Sequence, residues 1–198
     1  MVINGAWKEK VRTMRANKNN EGAKRELLKA KMTGYEKADL KNKIFVDYCL
    51  AHHAYTEKNF ELANKYLMCI KSIFDEDVRN IEDMNLEYCN YLWMQVSVNH
   101  NTMEIKDIVN NMTEVYNYYI KVDEKDIAIS ALINIFYFDG SHDRILDSLE
   151  QLMKCDKISD WNFVDSILKD CERISHNLYI RALKIVEGFS IGFNIDVV

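Results

Sequence analysis

A chain of 198 residues that is 48 % hydrophobic has enough apolar material for one domain with a substantial core, or for one short solenoid. It contains no proline, where average usage of about 5 % would place roughly ten, and this argues against β-sandwiches and against enzymes with long active-site loops. The net charge of −5 is unevenly spread: residues 1–43 hold twelve Lys/Arg against five Asp/Glu, a balance of +7 that leaves −12 for the remainder.

Apolar periodicity predicts helices over 5–16 and 20–33, the second with Ala23, Leu27, Leu28 and Met32 on one side and Gly34 as its C-terminal stop. A long helix is expected over 35–56. Its end enters the most regular stretch, 50–73, where Leu50, Ala54 and Glu57 form one stripe and Phe60, Ala63, Leu67 and Ile70 form another. A tight turn between them would fold two amphipathic helices together, with the small Ala51 and Ala63 where the backbones come closest. After a charged linker, MNLEYCNYLWMQVSV and MEIKDIVNNMTEVYNYYI read as a second pair, with Thr102 as N-cap of the latter. Asp126 is expected to cap IAISALINIFYF, which pairs with RILDSLEQLM across a sharp reversal at Gly140. WNFVDSILKDCERI and NLYIRALKIVEGF form the last pair, ahead of an apolar tail. The fold class is therefore all-α: stacked helical hairpins over 44–188, preceded by a basic N-terminal helical segment, 1–43, and followed by the tail, 189–198.

The residues also limit function. Five cysteines, far apart and without a CxxC, predict free and mostly buried thiols rather than a disulfide framework or a zinc ribbon. Cys49 and His53 share a helical face, whereas the adjacent His52 and His53 point about 100° apart, and two ligands do not make a metal site. His142 and Asp143 read as turn and N-cap residues. No GxGxxG, P-loop, HExxH or GxSxG occurs, so no enzymatic activity, metal or cofactor is expected. The basic end could meet an acidic partner or nucleic acid, but aromatic residues are few there and no helix-turn-helix spacing is evident, so nucleic acid is not the expected partner. The N-terminus has no apolar signal core and no run reaches the roughly 18 apolar residues of a spanning helix, which predicts a cytoplasmic protein without a membrane partner.

The hairpins resemble the tetratricopeptide repeat, a helix–turn–helix unit of about 34 residues. Leu50, Ala51, Phe60, Ala63 and Leu67 match its pattern in the first hairpin. Leu132, Phe136 and Gly140, followed by Ile145 and Leu149, match it in the third, and Tyr179, Ala182 and Val186 match it in the fourth. The second hairpin matches at Leu92 alone, and the proline that usually follows the repeat's second helix is absent throughout. A basic helical segment ahead of such repeats resembles the bacterial and phage peptide receptors of the Rap and arbitrium types. That resemblance implies a regulator whose groove closes on a short peptide. Phosphatase activity is not carried over, because residues 1–43 contain no glutamine; the chain has only Gln95 and Gln151.

Repeats of this kind present their first helices along a concave surface. In that register Tyr48, His52 and Tyr55 line the groove in the first hairpin, Asn90 and Met94 in the second, and Ser130, Asn134 and Tyr137 in the third. Carboxamides can hold a peptide backbone through donor and acceptor together, and tyrosines combine large area with a polar tip. The expected partner is a protein or a short peptide. The alternatives are a homodimer or larger assembly built on the apolar tail, and a small nucleic-acid-associated regulator using the basic end.

Overall fold

The computed structural model describes residues 2–76, 84–155 and 162–193, which form ten α-helices and one 3-10 turn and no strand. Most of the charged linker and the end of the apolar tail lie outside the described residues. Packing divides the chain into two units, one ending at Thr102 and the other beginning at Met103. The first holds α1 (Gly5–Ala16), α2 (Asn20–Thr33), the turn Tyr35–Lys37, α3 (Leu40–Thr56), α4 (Phe60–Glu76) and α5 (Asn85–Asn99). The second holds α6 (Ile105–Lys121), α7 (Lys125–Phe138), α8 (His142–Met153), α9 (Asn162–Ile174) and α10 (His176–Phe193).

Three helix-to-helix turns are built alike. Lys18, Lys58 and Asp123 sit in the left-handed region, at φ 58°, 59° and 62°. The next residue's N–H then bonds five residues back: Asn19 to the Met14 carbonyl at 2.8 Å, Asn59 to Ala54 at 2.8 Å and Glu124 to Tyr119 at 3.0 Å. This is a Schellman closure, made with lysine or aspartate where glycine is usual. In the first two turns the same asparagine caps the following helix, Asn19 Oδ1 accepting from the Gly22 N–H at 3.0 Å and Asn59 Oδ1 from Leu62 at 3.1 Å. Helix stop and helix start thus share neighbouring residues, which is how the chain turns without proline. Gly140, at φ 81°, makes the reversal between α7 and α8 as its sequence context predicts.

Several local expectations are corrected. The helix expected over 35–56 is interrupted, because Asp39 turns extended (ψ 165°) and takes the Asn42 N–H at 2.8 Å as N-cap of α3. Thr102 caps nothing: its hydroxyl donates to the Asn99 carbonyl at 3.0 Å, closing α5, and Glu104 is the N-cap position of α6. Asp126 lies inside the first turn of α7, buried, with Glu124 at the N-cap position. Leu28 and Met32 are exposed, and the inward face of α2 is Ala23, Leu27 and Ala30. Phe60, as the first residue of α4, is 48 % exposed, while Ala63, Leu67 and Ile70 are buried as expected. The pairing of 85–99 with 105–121 falls across the division into units: α5 packs on α3 and α4, and α6 packs on α7.

The basic N-terminal helices are built into the first unit. Ile3, Trp7 and Val11 from one end, Ala23, Leu27 and Ala30 from α2, and Val46, Cys49 and Leu50 from α3 form one buried cluster. α1 and α3 run parallel on either side of it. Asn42 Nδ2 donates to the Ile3 carbonyl at 3.0 Å near their N-terminal ends, Trp7 meets Phe45 edge-on at 6.2 Å, and Arg15 reaches His52 at the far ends. Ala51 and Ala63 are both fully buried, as expected where α3 and α4 meet. In the second unit α6 packs on α7, α7 on α8, α8 on α10 and α9 on α10, around Ile108, Met112, Val115, Ile145, Leu149 and Leu152.

Candidate functional site

The most chemically distinctive surface of the first unit is the edge where α1 lies along α3. Lys8, Arg12 and Arg15 recur at helical spacing on α1, and Phe45, Tyr48 and His52 do the same on α3. Lys8 Nζ and the Arg12 guanidinium both stand over the Phe45 ring, 5.6 and 5.5 Å from its centre, so the ring's negative face serves two cations. Arg15, half-buried, donates through one terminal nitrogen to Cys49 Sγ at 3.4 Å and approaches His52 Nδ1 with the other at 3.3 Å.

That geometry fixes protonation. Arginine is only a donor, so His52 Nδ1 must accept and its proton sits on Nε2. Burial first, then Arg15 and His53, hold the His52 imidazole down at about 4. Burial also raises the Cys49 thiol, with Arg15 acting against it, and raises the Tyr48 phenol. At neutral pH the cluster therefore contains a neutral imidazole, a protonated thiol, a phenol and one permanent cation. With Cys49 buried and its thiol held protonated, the cluster presents no thiolate nucleophile.

The opposite side of α3 is closed. Asp47 has no exposed surface; its Oδ1 meets Lys31 Nζ at 2.5 Å and its Oδ2 accepts from the Tyr35 hydroxyl. Lys31 Nζ also stands 3.6 Å from the centre of the Tyr35 ring. Burial raises the Asp47 carboxyl above its usual range, with Lys31 and Tyr35 restraining the rise, and burial reinforced by Asp47 raises the Tyr35 phenol. Each polar tip is used, and the triad ties α2, the 3-10 turn and α3 together. His53 is buried, and burial first, then Arg15 and Lys24, lower its pKa against the opposing pull of Glu57 and Glu21. The two histidines thus diverge as their spacing predicts.

Of the residues expected to line a groove, Tyr48, His52 and Tyr55 form a half-buried row on α3, with Tyr55 edge-on to Phe60 at 5.9 Å. Asn90 and Met94 share a face of α5, the first half-buried and the second buried. In the second unit Ser130 is buried and its hydroxyl donates to the Asp126 carbonyl at 2.9 Å. Asn134 Nδ2 donates to the Ser130 carbonyl at 2.8 Å, and Tyr137 lies edge-on to Phe138 at 5.0 Å. These three follow one face of α7, with the Ser130 hydroxyl and one Asn134 donor turned back onto their own helix.

Sequence reasoning missed Arg15, Arg12, Lys8 and Phe45. The spacing of the cations was visible in α1, but their position along α3 depends on contacts 34 and 37 residues apart. At its N-terminal end the same edge borders a cavity of about 660 Å³ lined by Asn4, Lys8, Asp39 and Asn42 among others. The second unit has a smaller cavity, about 330 Å³, between the starts of α8 and α10, where His142, Asp143, Ser175 and Arg181 meet.

Among the described residues no group of three or more His, Cys, Asp or Glu side chains could hold a metal ion, and no helix is long and apolar enough to cross a membrane. All five cysteines are free thiols, with Cys49, Cys89 and Cys171 buried. The chain is an all-α protein of two helical units. It matches no protein-family model, no curated protein and no solved structure.

Proposed function

We propose that this chain is a non-enzymatic recognition module, a regulator of tetratricopeptide-like hairpins that binds a short peptide or a segment of a partner protein along the open edge of α3. The observation that carries the reading is the row Tyr48, His52 and Tyr55, half-buried on one line of α3 while Leu50, Ala51 and Ala54 on its other lines are sealed. Tyrosines held this way offer a large, rigid contact area with a polar end, the kind of residue that anchors interfaces. His52, neutral and with its remaining proton on Nε2, adds a directional donor.

A displayed library of random heptapeptides, selected against the folded chain, tests this. The expected result is an enriched consensus whose synthetic peptide loses most of its affinity for Tyr55→Ala and His52→Ala variants that keep their helical circular dichroism. Failure to enrich any sequence, or equal binding to both variants, would overturn it.

A further inference from the structure

Resting on that reading, the geometry points to Arg15 as the receptor for a carboxylate of the bound segment, so that the partner is an acidic peptide. The evidence is a mismatch of charge. Three other cations that bridge between elements of the first unit each end on a carboxylate: Lys10 on Glu26 at 3.1 Å, Lys24 on Glu57 at 2.5 Å and Lys31 on Asp47 at 2.5 Å. Arg15 ends instead on a thiol and an imidazole, both uncharged, and no carboxylate of the described residues pairs with it. A half-buried guanidinium has lost part of its hydration, and of its five N–H donors two are engaged. The rest suit the two oxygens of a carboxylate, which guanidinium binds side by side.

The surroundings extend the match. Arg12 and Lys8 continue the positive row from Arg15, three cations along roughly 10 Å of helix at about 1.5 Å per residue. Among the described residues Arg12 pairs only with the carboxylate of Glu9, an exposed residue on its own helix, at 3.5 Å. Phe45 and Tyr48 line the row with apolar surface. An acidic segment would place one carboxylate on Arg15 and a second near Arg12 or Lys8. A nucleic acid is a poorer fit, because so short a row neutralises about three phosphates at most and binds weakly at physiological salt.

The test uses the full chain and three probes: the capped hexapeptide Ac-EYEYEY-NH2, its glutamine counterpart Ac-QYQYQY-NH2, and a hexathymidylate. Binding is followed by NMR through the Arg15 Nε–H and the His52 ring. The acidic peptide should saturate, shift both signals and raise the His52 pKa from its depressed value. It should bind at least about tenfold more tightly than the glutamine peptide, as expected for charge-assisted hydrogen bonds. Arg15→Gln should remove most of that advantage, while Arg15→Lys should keep more of it. Circular dichroism checks that each variant is folded. Equal affinity for the two peptides, undiminished binding of the acidic peptide to Arg15→Gln, absence of saturable binding, or tighter binding of hexathymidylate would each overturn the assignment. If the heptapeptide selection still yields a consensus dependent on Tyr55 and His52, only the carboxylate site fails; if the selection is empty, recognition itself fails.

Discussion

The two sides of α3 treat charge in opposite ways. Toward α2, Asp47 is sealed from solvent and both its oxygens are engaged by Lys31 and Tyr35. Toward α1, Arg15 is half-buried against groups that carry no charge. A matched charge in a closed place fixes how helices meet. At the open edge Arg15 meets no carboxylate among the described residues, and the proposed acidic segment would supply one. The comparison therefore sets a charge matched inside the first unit against one whose match is proposed to come from a partner.

The contrast can be broken most forcefully on the closed side. Asp47→Ala leaves Lys31 and Tyr35 facing an apolar gap and should destabilise the chain by about 3–5 kcal/mol in urea denaturation. A loss well under 1 kcal/mol would mean the triad is not the strut described here.

Lowering pH sharpens the open side. His52 is depressed in the folded state to about 4, against roughly 6.5 unfolded. Its contribution to stability is present above the unfolded value and is lost as pH falls through the folded one. His53, also depressed, acts in the same direction. The urea midpoint should therefore drop between about pH 6.5 and 4, and His52→Gln should flatten part of that drop. An unchanged pH profile in the variant would contradict the neutral, Arg15-facing imidazole. Asp47, raised in the folded state, works in the opposite sense. Its contribution is present below the unfolded carboxylate value and is lost as pH rises through the folded one, so Asp47→Asn should steepen the acid loss.

A control lies at the end of α3. Lys58→Gly relieves a left-handed lysine and should stabilise the chain by about 0.5–1 kcal/mol without altering the difference between the two sides. The smallest effect is expected from Arg15→Gln, a loss of about 1 kcal/mol or less by the same urea titration, because its two hydrogen bonds to Cys49 and His52 end on uncharged groups at a half-buried edge. A loss like that of Asp47→Ala would make Arg15 a structural residue.

The helices were readable because the chain lacks proline and keeps apolar spacing: those over 5–16 and 20–33 form with the expected bounds. Reading the helix from residue 35 overlooked that Asp39, once extended, offers a cap stronger than continued helix. Asp47 occupies a position on the buried line Ile44, Asp47, Ala51 and Ala54, so its burial follows from periodicity, but its partners come from a helix and a turn whose arrangement periodicity does not specify. Tyr48, His52 and Tyr55 were expected together from the repeat register, and their spacing does put them on one face of α3. Arg15 was not, because its meaning arises only when α1 and α3 lie parallel.

The most direct measurement is thermal unfolding of the parent and of Arg15→Gln with Ac-EYEYEY-NH2 at increasing concentration. The account predicts that Tm of the parent rises with peptide, reaching a stabilisation of about 2.7 kcal/mol at a hundredfold excess over Kd, while a tenfold weaker Arg15→Gln gains only about 1.4 kcal/mol at the same concentration. Equal rises in both proteins, or none in the parent, would contradict it.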